Sequence, residues 1–162
     1  QMGKEYDADG IIAKNGRINM PLLEKLNQLE YYQQTGTKSL GREWIDTTFF
    51  PILEQCQLSI PDQMRTVCEH IAFQIAEACN SAGGKTLLIT GGGAHNTFLI
   101  DLIRQKFHGQ VIIPDDNTID FKEAIIFAFL GMLRANDLPN CLASVTGARR
   151  NSCGGGIYGV DN

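Results

Sequence analysis

The sequence has no excess of positive charge and no long hydrophobic run. Its 162 residues include 14 Lys and Arg against 18 Asp and Glu, which gives a net charge of −4. Surfaces that bind nucleic acid or anionic membranes are basic, so we expect neither a nucleic-acid partner nor a membrane partner. No apolar run approaches the roughly 18 residues that a membrane-spanning helix needs. These absences leave a mildly acidic globular protein, with a length typical of one domain or of a large piece of one.

The cysteines show no metal-binding spacing. The five are Cys56, Cys68, Cys79, Cys141 and Cys153, and the sequence contains no CxxC pair and no Cys/His cluster. Cys68 and Cys79 fall on the apolar side of a predicted helix, where a thiol acts as a small buried hydrophobe. Cys153 is expected to be exposed beside a glycine run. We therefore predict reduced thiols, a cytoplasmic location and no metal site.

Apolar periodicity predicts a helix-rich α/β protein. The predicted helices are a short piece within 7–20 and then 21–34, 43–56, 61–82, 95–107 and 120–136, and the predicted buried strands are 85–90 and 110–114. Pro51 is expected to kink or divide its helix. The helix 120–136 is apolar nearly all round, which favours a central position. Helices alternating with short strands indicate a parallel pair, and because two strands make an inadequate sheet, further strands are expected outside this sequence.

The most informative feature is a triple glycine, Gly91, Gly92 and Gly93, between a predicted strand and a predicted helix. Glycines let the backbone approach a ligand closely, and the helix that follows turns unpaired N–H groups toward the same place. The loop therefore predicts a site for a nucleotide or another anionic group, with Asn96 at its end. The alternative is a tight turn in which Asn96 only caps the helix.

Five segments resemble those of the anhydro-N-acetylmuramic acid kinases. They are YDADG (6–10), TKSLGRE (37–43), TGGGAHN (90–96), DFKEAIIFAFL (120–130) and LASVTGA (142–148). These kinases belong to the acetate and sugar kinase/actin superfamily, so the resemblance implies the helix-rich C-terminal half of an actin-like, RNase H-like ATPase fold with few strands of its own. Residues 1–162 would form the nucleotide-side domain of a two-domain sugar kinase, and the N-terminal domain would lie outside this sequence.

The resemblance also implies a reaction. The complete enzyme would use ATP and Mg²⁺ to open the 1,6-anhydro ring of anhydro-N-acetylmuramic acid with water and to phosphorylate it to N-acetylmuramic acid 6-phosphate, in peptidoglycan recycling. Gly91, Gly92, Gly93 and Asn96 would contact the nucleotide. The family's first phosphate loop, SGTSxDG, and its DTGPGN segment, which looks like the source of the catalytic aspartate, are absent here.

Glu123 is the acidic residue that the resemblance places near the sugar end of the cleft, where it would be catalytic. Its spacing from Asp120 also fits a capping box, with Asp120 as the N-cap and Glu123 three residues later. Lys38 and Arg42 would carry charge to a phosphate or a sugar, or would be solvated loop cations. Leu40 stands where the family usually has Thr, which removes a hydroxyl from that loop.

Two other functions fit the same residues. One is a non-catalytic nucleotide-binding or dimerisation module of the same fold, favoured by the absent phosphate loop and aspartate. The other is a small Rossmann-like transferase, supported only by the strand–glycine–helix unit. An in-frame SGTSxDG and DTGPGN upstream in the gene would decide for the kinase. A homodimer would be compatible with exposed sheet edges.

Overall fold

The structure is a computed structural model that describes residues 6–35 and 38–159. The chain divides into two compact units, Gln1–Pro114 and Asp115–Asn162. None of the helices in the described ranges is long and apolar enough to cross a lipid bilayer.

Helices make up most of the first unit and half of the second. In the first unit the helices are α1 (Ile11–Lys14), α2 (Met20–Asn27), α3 (Glu30–Gln33), α4 (Arg42–Trp44), α5 (Phe50–Glu54), α6 (Ile60–Ser81) and α7 (Thr97–Lys106), and the strands are β1 (Thr86–Leu88) and β2 (Gln110–Ile112). Short 3₁₀ turns cover Ala8–Gly10 and Gly92–His95, and a π-turn covers Ile45–Phe49. The second unit contains α8 (Asp116–Ala135) and α9 (Ala143–Thr146). The helix-rich α/β prediction is confirmed.

The two strands pair in parallel, as predicted, with Thr86 opposite Gln110 and Leu88 opposite Ile112. Helix α7 connects them. Leu87 and Val111 pack against the helices, whereas Leu88 is 59% exposed and Ile112 is 38% exposed. The prediction of fully buried strands is therefore wrong for this chain, because the alternating side chains of a strand point to opposite faces and helices cover only one face here.

The main core of the first unit lies where α1, α6 and α7 meet. Its buried members are Ala13, Cys68, Ala72, Ala76, Ile100, Leu102, Ile103 and Phe107. The alanines of α1 and α6 let the helices approach closely. Burial raises the pKa of the Cys68 thiol to about 11, so this thiol stays protonated, as expected of a buried helix cysteine.

Helix α6 follows its sequence signals closely. The Ser59 hydroxyl accepts a hydrogen bond from the Asp62 N–H at its start, next to Pro61. At its end Gly83 adopts a φ of +67° and the Gly84 N–H donates to the Cys79 carbonyl. The predicted helix 61–82 is confirmed.

One predicted helix is divided in the structure, and another is continuous but contains a π-turn. The helix expected over 21–34 ends at Asn27, and extended backbone at Leu29 separates it from α3. The helix expected over 43–56 passes through the π-turn before Pro51. Proline lacks an N–H and displaces the carbonyl one turn earlier, which accounts for the widened turn at this position.

Helix α8 begins earlier than predicted and is mostly exposed. Asp115, and not Asp120, is its N-cap, because the Asp115 carboxylate accepts hydrogen bonds from the Thr118 N–H at 3.0 Å and the Thr118 hydroxyl at 2.9 Å. Of its residues only Ile119 is buried, while Phe127 is 71% exposed. The prediction of a central helix is wrong for this chain, since the remainder of the second unit is too short and irregular to surround a 20-residue helix.

Candidate nucleotide-binding site

The triple glycine lies between β1 and α7, as predicted. Gly91 has a φ of +81°, which disfavours a side chain, and Gly92 begins the 3₁₀ turn that ends at His95. Ala94 anchors this turn in the protein interior with 6% exposure. The glycines therefore form a short arch between a strand end and a helix start, which is where ligands of open α/β sheets bind.

The space beside the three glycines is open. A Cβ atom built on Gly91, Gly92 or Gly93 would meet no protein atom within 4 Å. At Gly109, by contrast, a Cβ would lie 2.6 Å from the Phe107 ring. Packing therefore accounts for the glycine at 109 but not for those in the arch. Room for a ligand against the backbone is the feature that a nucleotide site requires.

Asn96 joins the arch to α7. Its Oδ1 atom accepts a hydrogen bond from the Leu99 N–H at 2.9 Å, and its own N–H donates to the Gly93 carbonyl at 3.2 Å. The capping role that the sequence suggested is confirmed. It does not conflict with ligand binding, because the Nδ2 group of the same amide is a separate donor. The N-terminus of α7 adds a positive dipole end beside the arch.

The YDADG segment lies against this helix start, which the sequence reasoning did not foresee. A Cβ on Gly10 would overlap the Asn96 Oδ1 atom, and the Thr97 hydroxyl donates to the Asp9 carbonyl at 3.3 Å. Asp7 and Asn96 both line a largely apolar cavity of about 200 Å³. Two segments that carried the resemblance separately, 6–10 and 90–96, thus form one local structure.

The remaining candidate residues lie elsewhere. Lys38 donates to the Tyr31 carbonyl at 3.2 Å and lies 5.3 Å from the centre of the Tyr31 ring, while Arg42 pairs with Asp46 at 3.1 Å. Thr37, which precedes Lys38 in the resembling segment, is outside the described residues. The two cations are therefore engaged locally.

Glu123 belongs to the second unit, whereas the arch belongs to the first. It is exposed and lies in the third turn of α8, eight residues after the Asp115 N-cap. The capping-box interpretation of Asp120 and Glu123 is wrong, because Asp120 already lies inside the helix. No group of three or more His, Cys, Asp or Glu that could hold a metal ion occurs within residues 6–35 and 38–159.

His70 is a buried polar residue that the sequence analysis missed. It is 1% exposed, its Nδ1 atom lies 2.6 Å from the Asn27 Oδ1 and its Nε2 atom lies 3.1 Å from the Tyr32 hydroxyl. Because the Asn27 Oδ1 can only accept, Nδ1 carries the proton and Nε2 accepts from the Tyr32 hydroxyl. Its partners are about forty residues away in sequence, so no local pattern marks them.

This histidine should make the fold sensitive to acid. Burial lowers the pKa of His70 to about 4, against about 6.5 in an unfolded chain. The unfolded state therefore takes up a proton first as the pH falls, and the free energy of unfolding should decrease between about pH 6.5 and 4, by about 3 kcal/mol in all. Denaturant unfolding of the 162-residue chain at a series of pH values measures this. His70→Gln should flatten that part of the profile, whereas the same change at the exposed His108 should leave it intact, and identical profiles for both variants would show the assignment to be wrong.

Comparison with known proteins identifies a family. The family model described as anhydro-N-acetylmuramic acid kinase matches residues 1–160. An anhydro-N-acetylmuramic acid kinase of Saccharophagus degradans is 35% identical over 163 residues, which are 96% of this chain and 44% of that protein. The proteins of the same name from Streptomyces coelicolor and Vibrio vulnificus are 35% and 36% identical, over 94% and 96% of this chain but only 40% and 44% of their own lengths. The chain thus spans less than half of the length of these relatives.

Proposed function

The chain belongs to the anhydro-N-acetylmuramic acid kinase family, and on that premise we propose that it is the C-terminal, nucleotide-side part of an ATP-dependent anhydro-sugar kinase. The observation that carries the proposal is the open glycine arch between β1 and α7. Gly92 and Gly93, which neither packing nor a positive φ requires, stand with Gly91 at a helix N-terminus, where phosphates and other anions bind.

In the proposed reaction water adds to the anomeric carbon C1 of anhydro-N-acetylmuramic acid and the bond from C1 to O6 breaks. O6 takes the γ-phosphoryl group of ATP, the proton of the attacking water leaves to a base, and the products are N-acetylmuramic acid 6-phosphate and ADP. Such transfers depend mainly on positioning and on charge stabilisation. A cytoplasmic enzyme of this kind would serve peptidoglycan recycling.

The described residues would supply the nucleotide side of that site. The backbone of Gly91, Gly92 and Gly93 would approach the adenosine or its phosphates, and the Asn96 amide would donate to them. Glu123 would act at the sugar end, where a carboxylate can bind a hydroxyl or move a proton. Because it is exposed here, the rest of the longer protein would have to exclude water from it.

Mg²⁺, which would neutralise phosphate charge in the transfer, needs carboxylate ligands. No group of three or more His, Cys, Asp or Glu that could hold a metal ion occurs within residues 6–35 and 38–159, and we propose that the protein ligands of Mg²⁺ belong to the rest of the longer protein. The first phosphate loop and the catalytic aspartate would come from the same missing part.

A second function is favoured by one observation. The large apolar side chains that α8 leaves exposed are Phe121, Ile125, Ile126, Phe127, Phe129 and Met132. Many exposed large apolar side chains on one helix usually mark a contact with another protein surface. It suits a dimerisation or docking module, although the remaining half of a kinase would cover such residues equally well.

Product analysis of the complete reading frame separates these functions. With ATP, Mg²⁺ and anhydro-N-acetylmuramic acid, we expect a phosphosugar heavier than the substrate by one phosphoryl unit (HPO₃) and one water, with ³¹P coupling to the protons on C6. Open-ring N-acetylmuramic acid serves as the control substrate, because it lacks the anhydro bond, and it should be turned over at least about tenfold more slowly, which corresponds to about 1.4 kcal/mol. Formation of ADP without any phosphosugar would refute the kinase proposal, and the absence of both products from the folded protein would favour a non-catalytic module.

A further inference from the structure

Gly10 lies in a tight contact with the start of α7. It is buried, has a φ of +70°, and a Cβ atom at this position would overlap the Asn96 Oδ1 and lie 2.7 Å from the Phe98 Cβ. The adjoining Asp9 carbonyl accepts the hydrogen bond from the Thr97 hydroxyl. The 3₁₀ turn Ala8–Gly10 therefore forms a wall against the first residues of the helix that follows the glycine arch.

This wall is fixed by its own hydrogen bonds. The Asp7 carboxylate accepts from the Ile12 N–H at 2.8 Å and from the Ala13 N–H at 3.0 Å, and the Gly10 N–H donates to the Asp7 carbonyl at 3.1 Å. Ala13 is 0% exposed and belongs to the same buried cluster as Ile100 of α7. Because the turn and α7 share one core, neither can shift without disturbing the other.

Asn96 carries this constraint to the arch. Its side chain is held between the wall at Gly10 and the Leu99 N–H that it caps, while its backbone N–H donates to Gly93. A change in the Asn96 side chain would therefore alter the angle at which the arch meets the helix. A substituent on Gly10 would force that change, since the nearest atom it would meet is Asn96 Oδ1, ahead of the Phe98 Cβ.

We propose that Gly10 is a positioning residue for the nucleotide: its missing side chain lets the Asp7–Gly10 turn close on Asn96 and so holds the glycine arch in its binding shape. This rests on the proposed nucleotide site. Gly10 itself touches neither nucleotide nor sugar. Its replacement should weaken ATP binding while leaving the affinity for the sugar and the kcat at saturating ATP little changed.

The test compares substitutions at two glycines that have similar φ angles, both made in the protein encoded by the complete reading frame. Gly83 has a φ of +67°, close to that of Gly10, but a Cβ there would meet nothing within 4 Å. Both Gly10→Ala and Gly83→Ala carry the strain of a positive φ, and only the first carries the contact with Asn96. By calorimetric titration with ATP, we expect Gly10→Ala to raise the Kd about tenfold and Gly83→Ala to change it less than twofold. Equal shifts in the two variants, or none in either, would overturn the positioning role.

A second substitution tests the route through Asn96. Ser is also a good N-cap but is shorter, so Gly10→Ala should weaken ATP binding by no more than about threefold in an Asn96→Ser background. An undiminished effect would contradict the proposal.

If the Gly10→Ala variant does not fold, Thr97→Val provides the test, because it removes only the hydrogen bond to the Asp9 carbonyl. A two- to fivefold rise in the Kd for ATP supports the positioning role, and an unchanged Kd overturns it. If the unaltered protein bound no ATP at all, the proposed function would itself be wrong.

Discussion

A protein limited to these 162 residues should form no detectable N-acetylmuramic acid 6-phosphate when it is given ATP, Mg²⁺ and anhydro-N-acetylmuramic acid. The reaction needs an activated water and a cradled γ-phosphate, and the groups proposed for both lie outside this sequence. Loss of a single oriented donor can cost about 10²–10³ in rate. Loss of a whole half would also open the site to bulk water, which weakens every remaining electrostatic contact.

The protein to compare is the one encoded by the complete reading frame. It is assayed under identical conditions, and the product is followed by mass spectrometry. We expect turnover from the longer protein and a rate at least about 10³-fold lower from the 162-residue chain. Circular dichroism would establish that the short chain is folded and helical. Turnover by the short chain near that of the longer protein would contradict the proposed location of the catalytic groups.

Local signals in the sequence were sufficient for elements that form by local interactions. Helix α6 was predicted from its apolar spacing, Pro61 and the glycines at 83 and 84, and the structure agrees within one residue at each end. The parallel pairing of β1 and β2 followed from the helix between them. In these cases the residues that determine the element are its own or its immediate neighbours.

Errors arose where the sequence offers several local choices of the same chemical type. Asp115, Asp116 and Asp120 could each begin α8, and the double hydrogen bond from Thr118 selects Asp115. The exposure of α8 and of Leu88 could not be predicted, because an apolar pattern shows that a surface needs covering and not whether this chain supplies the cover.

Long-range contacts were beyond the sequence pattern altogether. Gly10 contacts Asn96 and His70 contacts Asn27, and the two residues of each pair are more than forty positions apart in the sequence. The two segments 6–10 and 90–96 were both singled out, yet nothing in their residues showed that they meet. The open space beside Gly91–Gly93 likewise appears only once the chain is folded.

Replacing Gly92 by Val should abolish most of the ATP affinity of the complete protein. The new side chain would occupy the open space beside the arch, and the φ of Gly92 lies outside the range that favours glycine, so the chain itself can accommodate it. A branched side chain where a ligand must approach the backbone should raise the Kd for ATP by about 100-fold, which corresponds to about 2.7 kcal/mol.

The most direct measurement is the Kd for ATP of Gly92→Val beside that of Gly131→Val, both in the complete reading frame and both verified to be folded. Gly131, on α8, also has no atom within 4 Å of a built Cβ, so it matches Gly92 in available space but not in location. A nucleotide site at the arch predicts a Kd raised about 100-fold for Gly92→Val, with the sugar affinity retained, and a Kd within twofold of the unaltered protein for Gly131→Val. An unchanged Kd for folded Gly92→Val would contradict it.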